Sequence, residues 1–522
     1  MKMMKSLILG TAVAFAATAG AQAADLPVKA KPVEYVKICS AYGAGFYYIP
    51  GTDICLRVGG YIFMNFDVNA YAAGPQHLGA VGGDQVRNRN DNWTSFRVRQ
   101  DIIFDARTNT EYGTLRAYAS TGFQWTTNAG GFYQLQSPAA TGNYAWYYDR
   151  AFIQFAGLTF GYIGSFFDYD PSMIINQQSS KSFKFTPAIA YTAQFGNGVS
   201  ASLSLEDSTT RRTQITTSTI GILNGGLFLG GFGYFAPPPV IGGGCSAAAI
   251  AAGQCGNFIA PVAIANSGFN GSIYSAQYMP DIVANMRVDQ AWGDAQISGA
   301  LHQVKMGIVG PGPNAFIDAG GGAGVAGLPW APSKWGYAVL AGINLKLPQL
   351  GAGDSFQIEG AWAKGAVDYT GLSGNPYSTA GALGYRKGAI GPVIDLFDSY
   401  VNASGQHLAT AWSMNAQLRH FWTPTMRSTL HYGYNRFEAP AASQNFAGAA
   451  GSSQNFPSGK IHQITANLIW SPVPKLDLGV EAMWNKVETD CGGLAAAACD
   501  ADFTRGKSAD FWGGLFRARR DF

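Results

Sequence analysis

The sequence predicts an all-β fold: a 16-stranded antiparallel transmembrane β-barrel with short periplasmic turns and long extracellular loops. Three observations predict it. Apolar and polar residues alternate with period two in segment after segment. The connections between those segments alternate between short and long. No uncharged apolar run of about 18 residues with helical character follows the N-terminal leader, so any membrane crossing falls to strands.

Composition narrows the classes first. Of 522 residues only 13% are charged and an equal 13% are aromatic, and the formal net charge is +3. Such a chain can bury ample apolar surface, which argues against disorder. It carries no excess of lysine and arginine, which argues against nucleic acid as a partner. The 67 glycines follow no three-residue period, which excludes collagen.

At the N-terminus, Lys2 and Lys5 precede an apolar stretch from Leu7 to Ala17, and Ala21-Gln22-Ala23 follows. A charged region, a short apolar core and an A-x-A site make residues 1–23 a signal peptide. Its removal takes away two lysines and lowers the net charge from +3 to +1. Residues 24–54 are expected to form an N-terminal periplasmic segment with a hairpin, and residues 55–522 the barrel. Six cysteines fall into three local pairs, Cys39/Cys55, Cys245/Cys255 and Cys491/Cys499. None forms C-x-x-C and no histidine lies at zinc spacing, so in an exported chain they read as disulfides and no metal site is expected.

The strands follow in order. From Leu56 to Val68 the even positions carry Leu56, Val58, Gly60, Ile62, Met64, Phe66 and Val68, while the odd positions include Arg57, Asn65 and Asp67. The second segment sets Phe96, Val98, Ile102, Phe104 and Ala106 against Arg97, Arg99, Asp101, Asp105 and Arg107. The same alternation runs through Val199–Glu206, Ala295–His302 and Leu476–Asn485. Sixteen such segments begin near residues 55, 94, 112, 149, 158, 188, 198, 281, 294, 335, 354, 407, 426, 461, 475 and 510. Short turns fall at 108–111, 156–157, 196–197, 291–293, 348–353, 423–424 and 471–474; Asn197-Gly198 tolerates the positive φ of a tight hairpin. A secreted β-sandwich also alternates. Sixteen strands exceed what one open sheet comfortably holds, and closure satisfies every backbone group in lipid. On outward parity, Trp362, Trp412, Trp470 and Trp484 are candidates for an aromatic girdle.

Three stretches carry a resemblance: Ala24-Asp25-Leu26-Pro27 to Cys39 with Tyr42 to Asp53 and Cys55; Phe160 to Asp168; and the closing Phe511 to Phe522. They resemble the alphaproteobacterial general porins of the Brucella and rhizobial type. The resemblance implies a 16-stranded barrel in the outer membrane of a Gram-negative bacterium, assembled as a homotrimer amid lipopolysaccharide. It also implies passive diffusion of small hydrophilic solutes through a water-filled channel, with the third extracellular loop folded inside. In barrels of this kind a terminal aromatic, here Phe522, is read by the barrel assembly machinery. One departure is the loop 207–280, which has no charge from residue 213 onward.

Enzyme signatures are absent. The histidines (His77, His302, His407, His420, His431 and His462) are scattered, and Gly322-Ala323-Gly324-Val325-Ala326-Gly327 matches G-x-G-x-x-G without a strand before it or a helix after it. No catalytic residue and no cofactor is expected. The informative groups are charges on polar strand faces: Arg57, Arg97, Arg99, Arg116 and Arg150 lie on the first four strands. Neighbouring strands stand ~4.8 Å apart, so these arginines can gather on one stretch of wall. With the third loop inside, Asp168 and Asp170 would face them across a constriction, creating a transverse field. The alternatives are a substrate-selective channel, or a structural or adhesive barrel whose loops do the work.

Overall fold

Alternation at period two gives each strand an apolar and a polar face, and two-residue turns fold neighbouring strands against each other. The computed structural model describes residues 37–69, 94–127, 143–169, 172–175, 180–217, 274–275, 277–306, 333–372, 382–384, 392–402, 405–444, 456–492, 499 and 506–522. The expected signal peptide, Asp170, Cys245, Cys255 and residues 218–273 of the long loop lie outside the described residues.

The chain divides into two compact units, the first ending at Arg57. In that unit Tyr47–Tyr48 pairs antiparallel with Cys55 and Leu56, and a disulfide joins Cys39 to Cys55 with Cα atoms 5.9 Å apart. Cys39, Phe46 and Cys55 form its small core, flanked by Tyr42 and Tyr48.

The second unit is the barrel. Its strands are β1 (Cys55–Asn69), β2 (Thr94–Thr110), β3 (Gly113–Thr126), β4 (Asn143–Phe155), β5 (Leu158–Gly164), β6 (Phe185–Gly196), β7 (Val199–Glu206) and β8 (Asp281–Gln290). The second half comprises β9 (Gly293–Lys305), β10 (Ser333–Lys346), β11 (Ser355–Lys364), β12 (Thr410–Thr423), β13 (Met426–Glu438), β14 (Gly459–Val473), β15 (Leu476–Thr489) and β16 (Ser508–Asp521). Each strand bonds to the next, and β16 closes on β1 in the register Tyr61↔Asp521 to Asn69↔Gly513. Closure leaves no open edge, which hydrocarbon would penalise heavily. Two-residue turns join β2 to β3, β4 to β5, β6 to β7, β8 to β9, β12 to β13 and β14 to β15. Asn197 and Gly198 both take positive φ, 49° and 73°, so the Asn-Gly signal of the sequence is the turn itself.

Burial is inverted relative to a water-soluble sheet. Ile297, Leu301, Leu430, Val480 and Phe516 are exposed on the outer face, while Asp101, Asp105, Gln357, Asn415, Thr465 and Glu481 are buried on the inner one. An apolar belt of this extent is stable only in lipid. Trp362, Trp412 and Trp470 stand exposed on the outer face; Trp484 is half-buried there, its Nε1 donating to Asp510.

Three strand starts differ from the sequence expectation by three residues or more: β6 begins at Phe185 rather than near 188, and two others differ for physical reasons. β4 begins at Asn143 rather than near 149, because a bulge at Asp149 breaks the alternation: Tyr148 pairs with Thr121, Arg150 with Ser120, and Asp149 has no partner in the register. The twelfth barrel strand begins at Thr410 rather than near 407. Gly405–Leu408 instead pairs with Ser399–Asn402, which lies parallel to Ile215–Thr217 in a small sheet of the loops.

Candidate functional site

The loop after β5 enters the barrel. At its root Ser165 Oγ and the Phe166 amide donate to the two carboxylate oxygens of Glu206, at 2.6 and 2.8 Å. Asn285 on β8 donates to the Phe166 carbonyl (2.6 Å), and Gln296 on β9 to that of Asp168 (3.0 Å). Tyr169 donates to Asp294 Oδ1 at 2.8 Å, and its ring lies over Gly342, where a Cβ would overlap it. Further along, the Met173 amide donates to Gln417 on β12 and the Met173 carbonyl accepts from Thr429 on β13. The Ile175 amide donates to Glu481 on β15 (2.6 Å), and Arg517 on β16 donates to the Ile175 carbonyl (2.8 Å). Each acceptor or donor on a strand is an inward-facing polar side chain. The loop therefore lines the inner wall from β7 round to β16, and its backbone groups are satisfied by that wall rather than by water.

A buried ionic cluster pins the root. Asp168 accepts from Arg211 (2.6 Å), from Ser182 Oγ (2.6 Å) and from the Lys184 amide (2.6 Å). Arg211 also reaches Asp368 at 3.4 Å, and its guanidinium lies 4.5 Å over the Tyr369 ring. Tyr369 donates to Asp281, which pairs with His302 at 2.8 Å. Burial works against the Arg211 charge, but Asp168 and Asp368 outweigh it and hold the guanidinium above its ordinary range. Asp168 is thus spent on Arg211 and does not face the arginines of β2–β4. The sequence carried one hint of this: Arg211 and Arg212 are the last charges before the uncharged stretch.

Those arginines do stand on the inner wall. Arg99 donates twice to Gln124, at 2.9 and 2.6 Å, and lies over Phe63 at 5.5 Å. Arg116 and Arg107 clamp Asp105 from two sides, with contacts of 2.8 to 3.1 Å. Arg150 contacts Asp149 at 3.2 Å and lies 5.7 Å from the Tyr118 ring, which stacks on Phe152 at 4.9 Å. Arg97 faces inward beside Asp67, opposite in parity to the exposed Phe96 and Val98. Arg517 on β16 lies over the same Phe63 ring, at 4.6 Å. Arg57 belongs to the N-terminal unit, where it lies 5.1 Å over Phe46. On this wall Arg99, Arg116 and Arg150 lie over aromatic rings, and Asp105 and Asp149 partly neutralise the arginines beside them. Among the described residues no group of histidine, cysteine, aspartate and glutamate could hold a metal ion.

A closed, outwardly apolar barrel with a polar interior and a loop laid inside it is an outer-membrane β-barrel by architecture. The chain belongs to the porin subfamily, whose family model matches residues 25–515. It is 36% identical over 222 residues to Porin Omp2a of Brucella ovis, covering 39% of this chain and 59% of that protein. It is 37% identical over 213 residues to Porin Omp2b of Brucella melitensis, covering 39% of this chain and 54% of that protein. The aligned stretch thus spans little more than half the length of these relatives. In fold it is similar to the outer membrane channel DcaP of Acinetobacter baumannii, with a TM-score of 0.52 at 14% identity over 91% of this chain and 99% of that one.

Proposed function

We propose that the protein is a general porin of a Gram-negative outer membrane, a water-filled channel for passive diffusion of small hydrophilic solutes and ions. The observation that carries this reading is the pairing of an arginine-rich inner wall with a loop folded against the opposite wall. A strip of guanidiniums at one side of a narrow aqueous passage orients dipolar solutes and water, while an apolar solute gains nothing there. In the constriction Arg97, Arg99, Arg116 and Arg150 supply the positive side; Arg57 is assigned to it on strand-face parity and Asp170 on the resemblance. The working unit is a homotrimer surrounded by lipopolysaccharide and inserted by the barrel assembly machinery, which reads Phe522. Residues 1–23 are a cleaved signal peptide, and residues 24–54 face the periplasm. No catalytic role, cofactor or nucleic acid enters this reading.

Single-channel recording tests it. Arg97→Ser with Arg99→Ser removes bulk and positive potential, so conductance is expected to rise or the reversal potential to move toward cation preference. Unchanged conductance and reversal potential would remove these arginines from the constriction. The aromatic rungs Phe63, Tyr118 and Phe152 favour one second reading, a substrate-selective channel. Block of ion current by one solute class at micromolar concentration would establish it in place of the general porin.

A further inference from the structure

Inward positions on the second half of the barrel change character along the strands. Nearer the short turns they are polar: Gln357 on β11, Gln417 and Asn415 on β12, His431 on β13 and Thr465 on β14. Toward the long-loop end they become small or apolar, and Ala300, Ala338, Ala363, Ala411, Phe437 and Gly459 stand in one register row across β9–β14. All six are buried, Ala363 and Ala411 fully. On β2 and β3 the inward row at that level is polar instead. There Arg97 pairs with Thr126 and Arg99 with Gln124, and both arginines and Gln124 stay half-exposed. The levels match because Arg99 and Phe437 each stand eleven residues from the short-turn end of their strands, at Thr110 and Met426.

An apolar row on the inner face of a water-filled tube stays dry only under a cover. The cover is the loop after β11, described at 365–372, 382–384, 392–402 and 405–409. Val367–Thr370 forms one 3-10 turn, buried throughout, and the Asn435 side-chain amide donates to the Thr370 carbonyl at 3.0 Å. Gly371, at φ 78°, lies so close to the Lys181 backbone of the first inward loop that no Cβ would fit. Ile394 occupies the space that a Cβ on Gly459 would need. Phe397 packs edge-on against Phe437 at 5.2 Å and Phe456 at 5.4 Å. Asp398, fully buried, accepts from the amides of Thr213 and Val367 at 2.8 Å each and from the Tyr274 hydroxyl at 2.7 Å. That one carboxylate joins both arms of the loop to both ends of the chain between β7 and β8.

We propose that the loop after β11 is a second inward loop, which dries the β9–β14 side of the mouth and confines solutes to one off-centre passage along β2–β4. The proposal rests on the channel reading above and adds a route to it. A solute then meets Arg97 and Arg99 on entry, with no wide vestibule before them, so selection by size and charge begins at the mouth.

Thiol labelling of the full folded protein tests the route. Gln124→Cys and Ala411→Cys are made separately and treated with a cationic methanethiosulfonate. The wild type is the blank, with Cys39, Cys55, Cys491 and Cys499 held in disulfides. Labelling at position 124 is expected to outpace that at 411 roughly a hundredfold, since a buried thiol is reached only through local opening. It is also expected to bring a lasting drop in single-channel current. Ala363→Cys supplies the buried position if Ala411→Cys folds poorly. Replacing residues 392–402 with glycine and serine is expected to make position 411 reactive and to raise conductance about twofold, as the covered side of the mouth fills with water. That variant is read only in the fraction showing the heat-shift of a folded barrel. Comparable labelling at 124 and 411, or unchanged conductance after the replacement, would overturn the proposal. A silent wild type with the labelling contrast intact would defeat the channel reading alone and leave the covered wall standing.

Discussion

Arg211 shows what a single buried charge does here. It is almost fully buried, and its two carboxylate partners come from different loops, Asp168 from the one inside the barrel and Asp368 from the one after β11. Taking away one partner of a buried ion pair strands the other, at a cost of about 3–5 kcal/mol. Arg211→Met is therefore expected to loosen the inward loop without opening the barrel, since no ladder bond is lost. The measurement is single-channel current together with limited proteolysis: more flickering closures and new cleavage between residues 165 and 184. Wild-type current noise and protease resistance would show that the loop is held by its wall contacts alone. At the arginine wall the same logic runs the other way. Arg99 and Arg150 keep solvent-accessible edges because aromatic faces, rather than carboxylates alone, hold them in place.

Among the elements, the hairpins carry the most local information. Gly198 adopts φ of 73° in the β6–β7 turn, and a Cβ there would run into the Asp289 carbonyl on β8. Gly198→Val combines a disfavoured backbone with that clash, so destabilisation of about 2 kcal/mol or more is expected. Refolding yield and the heat-shift of the folded band on gels report it, with Asn197→Gly as the neutral comparison; equal yields would mean the turn does not set the register. The disulfides act on the same scale. Cys39–Cys55 and Cys491–Cys499 close loops of 16 and 8 residues, so each contributes about 3 kcal/mol or less. Mass spectrometry of unreduced digests is expected to find both links, and free alkylation without reductant would refute them.

At the scale of the whole molecule the barrel depends on its last seam. The Phe522 amide donates to the Gly60 carbonyl at 3.0 Å and the Gly60 amide to the Phe522 carbonyl at 3.3 Å, one step beyond the Tyr61↔Asp521 pair. Deleting Phe522 removes these two hydrogen bonds, roughly 1 kcal/mol each, from a ladder that spans the membrane. The folded channel should tolerate that loss. The expected effect is on assembly: precursor accumulates in the periplasm, while the fraction that inserts conducts normally. Normal insertion at high expression would show that the terminal aromatic is not the assembly signal.

The sequence by itself determined the number of strands, their two faces and the end at which the turns are short. The reason is that all three are properties of neighbouring residues: side-chain direction repeats every two residues, and an Asn-Gly pair sets its own φ. It misjudged the edges of elements where that period breaks, at the Asp149 bulge and at His407. Its arginines at 97, 99, 116 and 150 reach the inner wall because parity alone places them there. What only the tertiary structure decided is the partnering of the inward loop. Asp168 meets Arg211 rather than the β2–β4 wall, and Ile175 meets Arg517 across 342 residues of chain. No local pattern encodes such pairs, because the buried carboxylate takes whichever cation the closed barrel brings within reach, and closure is a property of all sixteen strands at once.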